Sequence, residues 1–67
     1  NIQEERIKLY KAIRQLTPRQ QEVVRLVYFQ DKTQEEVAEI LGVAQSTISV
    51  TLERAIENLK KMIRNFP

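Results

Sequence analysis

The sequence predicts an all-α fold of about four helices, the last one long. Apolar residues recur at helical spacing, and strand-like alternation never extends beyond a few residues. The two prolines and the single glycine punctuate that pattern at Pro18, Gly42 and the C-terminal Pro67. Thr33 and Glu36 form a capping-box pair just before an apolar stretch, a local signature of a helix start.

The first helix is expected from about Gln3 to Gln15, with Ile2, Leu9, Tyr10, Ile13 and Leu16 as a partial apolar stripe. Thr17-Pro18 ends it, because proline disfavours helix at the residue before it and suits the first turn of a new helix. Thr17 is then a suitable N-cap. The second helix is expected from Pro18 to about Phe29. Its Val23, Val24, Leu26, Val27, Tyr28 and Phe29 are dense enough to imply burial on more than one side. Gln30-Asp31-Lys32 reads as a connection, and a short third helix follows from about Gln34 to Leu41. Gly42 stops it, since glycine adopts the left-handed conformation most cheaply. Val43-Ala44 forms the turn, and the fourth helix runs from Gln45 to about Asn65. Ile48, Leu52, Ala55, Leu59, Met62 and Phe66 give it a stripe at alternating steps of four and three, widened by Ile56 and Ile63. That spacing suits a core-facing helix, and it also fits a homo-oligomer formed through the C-terminal helix.

With 67 residues the chain is one small domain, and a domain of this size buries only about 60% of its unfolded surface. Cysteine and histidine are both absent. Disulfides, thiolate metal sites, the commonest metal ligand and the commonest general base are therefore excluded. Stability must come from helix packing, caps or a partner. No catalytic residues, metal site or cofactor are expected. The net charge is only +2, but it is unevenly spread: residues 1–30 carry +3, 31–44 carry −3 and 45–67 carry +2. Two basic blocks around an acidic one suit a surface with one basic face, as phosphate neutralisation requires, and equally an ordinary solvated surface. No apolar run of about 18 residues suggests a membrane span, and no secretion signal is visible. A cytoplasmic protein without membrane partners is expected. Asn1 in place of methionine is read as the start of a fragment of a longer protein.

The segment TQEEVAEILGVAQSTISVTL, residues 33–52, concentrates the functional signal. Ala38 is small, Gly42 follows four residues later, and Ile48 six residues after that. In a helix-turn-helix, two helices cross at about 90–120° over a turn of three or four residues. Close crossing needs a small residue near Ala38, the sharp turn wants Gly42, and Val37, Leu41, Val43 and Ile48 plug the angle from inside. Gln45, Ser46 and Ser49 are left pointing outward from the start of the fourth helix, where a recognition helix meets base edges in the major groove of double-stranded DNA. Gln45 can pair with adenine, serine with several bases, and Val50 can contact a thymine methyl. Thr47 is expected to be structural or to meet phosphate. Arg54 lies one turn farther on, placed for phosphate unless it pairs with Glu53 or Glu57. Arg19, Lys32, Lys60 and Lys61 are secondary phosphate candidates. Glu35, Glu36 and Glu39 read as a solvated face.

The stretch from Leu16 to Ile63 resembles region 4 of bacterial sigma factors. The residues that carry the resemblance are Leu16-Thr17-Pro18-Arg19 leading an apolar helix, Tyr28-Phe29 before the turn, Glu36 through Val43, Thr47-Ile48, and Arg54-Ala55 followed by Leu59-Lys60-Lys61. The resemblance implies reading of the upstream promoter hexamer, the minus-thirty-five element, through the last helix, and docking on the flap of the RNA polymerase β subunit. It places Gln45, Ser46 and Ser49 at the bases, and Thr33, Thr47 and Arg54 near phosphate. The apolar surface of the first two helices is then the part facing polymerase. The sequence departs from the family at Ala44, where serine or threonine often caps the recognition helix, and at Ser49 and Thr51, where lysine or arginine is frequent. Losing those cations implies weaker salt-dependent binding and different preferred bases.

Two other functions fit parts of the same pattern. LuxR-type regulators share a Leu-Thr-Xaa-Arg run and the Ala–Gly–Ile spacing, although the Arg54-Ala55…Leu59-Lys60-Lys61 tail fits sigma factors better. The weak basic character of the recognition helix also suits a protein-interaction or assembly module without a DNA role.

Overall fold

The computed structural model describes residues 2–65, and the side chains of residues 3–65. The described chain is helical with no strands: α1 (Ile2–Arg14), α2 (Pro18–Val24) continuing into a π-helical turn (Arg25–Phe29), α3 (Gln34–Leu41) and α4 (Gln45–Arg64). The all-α helix-turn-helix architecture and the long last helix are as expected. Of the expected stripes, the side chain of Ile2 and all of Phe66 lie outside the described residues.

Each helix boundary has a local cause. α1 carries Glu4 and Glu5 in its first turn and Lys11 and Arg14 in its last, matching the helix dipole at both ends. The last carbonyl of α1 is satisfied from outside the helix: the Gln21 carboxamide nitrogen donates to the carbonyl of Arg14 (3.2 Å) and to that of Leu16 in the following turn (2.9 Å). Thr17 caps α2, with Pro18 in the first turn. The Thr17 hydroxyl accepts from the Gln20 N–H at 3.2 Å, and the Thr17 N–H donates to Gln20 Oε1 at 3.3 Å, so a full capping box closes this end too.

The second helix does not continue to Phe29 in α form. After Val24 it widens: the Gln30 N–H reaches back five residues to the Arg25 carbonyl (3.1 Å), and the Lys32 N–H reaches the Leu26 carbonyl (2.9 Å). Asp31 closes the turn in the left-handed region, at φ 54°. The extra residue in this turn takes the following side chains off the phase set by Val23 and Val24. Those two valines are buried and Leu26 and Val27 half-buried, whereas Tyr28 and Phe29, expected in the core, are exposed. Tyr10 of the expected α1 stripe is exposed as well. Its ring lies beside that of Phe29, with centroids 6.1 Å apart, while Ala12 takes the fully buried place on α1.

One core holds the helices together: Ile13, Leu16, Val23, Val24, Val37, Ala38, Ile48, Leu52 and Ala55. α4 packs against α1, α2 and α3 and is the element they share. Its Ile48, Leu52 and Ala55 are buried, and Ile56, Leu59 and Met62 pack against the core, so most of the stripe is occupied within the monomer. Ile63 is exposed. No helix among the described residues is long and apolar enough to cross a membrane.

Candidate functional site

The site begins with a cap and a stop. The Thr33 hydroxyl accepts from the Glu36 N–H and the Thr33 N–H donates to Glu36 Oε1, both at 3.1 Å, which starts α3 at a defined residue. The Thr33 N–H bond, followed by the Thr33 hydroxyl, holds the Glu36 carboxyl below its ordinary pKa. After the eight residues of α3, Gly42 ends the helix with φ 68°, and the Val43 N–H bonds back to the Ala38 carbonyl at 3.0 Å. The chain leaves this turn at Ala44, whose extended φ and ψ are those of an N-cap but whose side chain offers no acceptor. Ala38, Val37 and Ile48 are buried where α3 meets α4, and Leu41 and Val43 pack against them. The expected plug of the helix-turn-helix is therefore present.

This arrangement commits one face of α4 to the core and frees the other. Gln45, Ser46, Thr47, Val50 and Arg54 are all exposed. Gln45 stands at the first helical position, while Ser46, Thr47, Val50, Thr51 and Arg54 line one shallow surface depression of about 340 Å³. Thr51, one of the positions where the family often has a cation, turns its hydroxyl inward and donates to the Thr47 carbonyl at 2.7 Å. Among the described residues Arg54 makes no ion pair with Glu53 or Glu57, so its guanidinium is uncommitted. The face thus offers one amide, two hydroxyls and a valine along the two to three turns that lead to one cation, a mixture suited to hydrogen bonding and methyl contact beside a phosphate.

Other expected site residues sit elsewhere. Ser49 does not point outward as expected: it is half-buried, and its Oγ donates to Gln34 Oε1 of α3 at 2.6 Å. Thr33 is exposed and engaged in its cap, where its hydroxyl accepts from the Glu36 N–H. Lys32 is half-buried in the loop before α3. Arg19 pairs with Glu22 at 3.5 Å on the exposed side of α2 and is not among the residues lining the α4 depression. Gln34 opens α3 and carries no cap or motif signal of its own. Its partner stands 15 positions away, too far for any local pattern to disclose the contact.

A second surface lies between α1 and the π-helical turn. Tyr10, Ile13, Arg14, Gln21, Arg25 and Phe29 line a groove of about 490 Å³, walled by the two exposed rings and carrying two arginines.

The sequence relatives agree with this geometry. The family model described as sigma-70, region 4 matches residues 12–61, which include α2, the π turn, α3 and most of α4. The chain is 36% identical over 62 residues to an RNA polymerase sigma-F factor of Bacillus licheniformis, covering 92% of this chain and 24% of that protein. It is 36% identical over 55 residues to the RNA polymerase sigma factor SigO of Bacillus subtilis, covering 82% of this chain and 31% of the relative. A sigma-E factor of Clostridium acetobutylicum is 43% identical over 56 residues, covering 78% and 24%. The chain spans between a quarter and a third of the length of these relatives. The chain belongs to the sigma-70 region 4 family, a non-enzymatic, DNA-binding helix-turn-helix domain of transcription initiation.

Proposed function

We propose that this domain reads a promoter element in double-stranded DNA through the outer face of α4 while docked on RNA polymerase. The observation that carries this reading is the division of α4 into two faces. Ile48, Leu52 and Ala55 are spent on the core, and Gln45, Ser46, Thr47, Val50 and Arg54 stand free on the other side. In such a pose Gln45, Ser46 and Val50 meet base edges in the major groove, and Thr47 and Arg54 meet phosphate. Thr33 adds a phosphate contact at the exposed start of α3, with Lys32 and Arg19 as outlying cations. The aromatic and arginine-bearing groove of Tyr10, Phe29, Arg14 and Arg25 is the surface offered to polymerase, the β flap being the expected partner. Exposed rings beside guanidinium groups suit an apolar partner segment with acidic flanks.

Transcription reconstituted from the full-length protein, core polymerase and a promoter library tests this reading. The expected result is core-dependent initiation at a selected set of upstream sequences, lost when Gln45 and Arg54 are both replaced by alanine. Absence of binding to core polymerase, or initiation indifferent to the upstream sequence, overturns it. Stable oligomers without DNA affinity at low salt would instead favour an assembly module.

A further inference from the structure

We propose that Ser49 is a positioning residue for Gln34, and that the Gln34 carboxamide nitrogen, not the Ser49 hydroxyl, makes the DNA contact on this flank of α4. The inference rests on the reading of α4 as the DNA-facing helix. Ser49 follows Gln45 by four residues, so the two lie in one row along the helix. Gln45 is exposed at the tip of that row, but Ser49 is half-buried and its single hydroxyl proton is given to Gln34 Oε1 at 2.6 Å. A serine that has donated its only proton keeps acceptor capacity alone. The bond also fixes the Gln34 carboxamide. Its oxygen is turned to Ser49, and its NH₂ group has no hydrogen-bond acceptor among the described residues. A freely rotating glutamine offers either a donor or an acceptor. Here one lone pair of the oxygen is taken by Ser49 and both N–H donors are unused, so donation is the favoured role.

The ligand atom on this flank is therefore an acceptor. Duplex DNA has two kinds: phosphate oxygens, and the base-edge acceptors of guanine, adenine or thymine. Gln34 and Ser49 line a shallow groove with Tyr28, Leu52, Glu53 and Ile56, so the carboxamide is open to a ligand from outside. The acidic side chains of Glu35 and Glu36 follow immediately in α3. A neutral donor held in place is what allows an electron-rich atom to approach there.

The experiment uses the full-length protein with core polymerase, a fluorescent mixed-sequence duplex for affinity, and selection from a randomised duplex pool for preference. Gln34→Ala should weaken binding about tenfold, the loss expected for one hydrogen bond to a charged or well-aligned acceptor. Gln34→Glu keeps the acceptor for Ser49 but removes both donors, and should weaken binding at least as much while leaving the melting midpoint near its starting value. Ser49→Ala should weaken binding in the parent and have no further effect in the Gln34→Ala background. A uniform loss across the pool identifies phosphate as the acceptor, and a changed preference at one base pair identifies a base edge. Ser49→Ala weakening binding equally in both backgrounds would make Ser49 itself the contact and overturn the proposal. Unchanged affinity in Gln34→Ala and Gln34→Glu would overturn it too. If the unaltered protein binds no duplex even with polymerase present, the underlying DNA-reading function is what fails.

Discussion

The Val43 N–H bonds to the Ala38 carbonyl across the left-handed Gly42, and this one contact sets where α3 ends and the chain turns toward α4. A Cβ built on Gly42 meets nothing within 4 Å, so a side chain there is resisted by backbone conformation alone. Gly42→Ala should therefore destabilise by about 1–2 kcal/mol, the cost of the left-handed region for a residue with a Cβ. Gly42→Asn should cost less. Denaturant unfolding of the pair checks this, and equal losses would mean that something other than φ is at work.

Ala38 is buried in the core where α3 meets α4. Ala38→Leu should overpack the crossing and destabilise by about 1–3 kcal/mol. An unchanged melting midpoint would count against close approach of the two helices.

Ala44 has N-cap geometry without a capping side chain. The backbone is already in the conformation that serine or aspartate needs, so Ala44→Ser should stabilise by about 0.5–2 kcal/mol. Thermal melts should show a higher midpoint, with no change in helix content beyond the first turn of α4.

The capping box at Thr33 and Glu36 gives the domain a defined acid response. The Glu36 carboxyl titrates below its ordinary value in the folded state, mainly because of the Thr33 N–H. Its contribution is present above the unfolded pKa and is lost as pH falls through the folded one. The melting midpoint of the parent should thus fall more steeply in that acidic range than that of Glu36→Gln, which keeps the acceptor oxygen and does not titrate. Parallel curves for the two proteins would remove Glu36 as a source of the response.

Arg54 and Gln45 should separate affinity from specificity. Arg54→Ala should weaken binding to all duplexes and reduce the slope of log affinity against log salt by about 1, as for one lost phosphate contact. Gln45→Ala should preserve folding and change the preference at one base pair by about 1–3 kcal/mol. Binding-site selection at two salt concentrations distinguishes them, and an identical profile for Gln45→Ala and the parent would take Gln45 off the reading face.

The sequence by itself determined the features whose physics is contained within one turn of chain. Thr17 with Pro18, Thr33 with Glu36, and Gly42 mark helix ends because caps and left-handed stops involve residues no more than about five apart. The helix, turn and helix of residues 34–64 followed from the same stretch, since Ala38, Gly42 and Ile48 agree in register. Only the tertiary structure decided which apolar residues are covered. Tyr10, Tyr28 and Phe29 have the composition of a core, yet the π-helical turn and the limited cover provided by four short elements leave them at the surface. It also decided the direction of Ser49, drawn inward by Gln34 of a different helix. Hydrophobicity states a preference for burial, but satisfying it needs a neighbour. Which neighbour arrives depends on contacts between residues far apart in the chain.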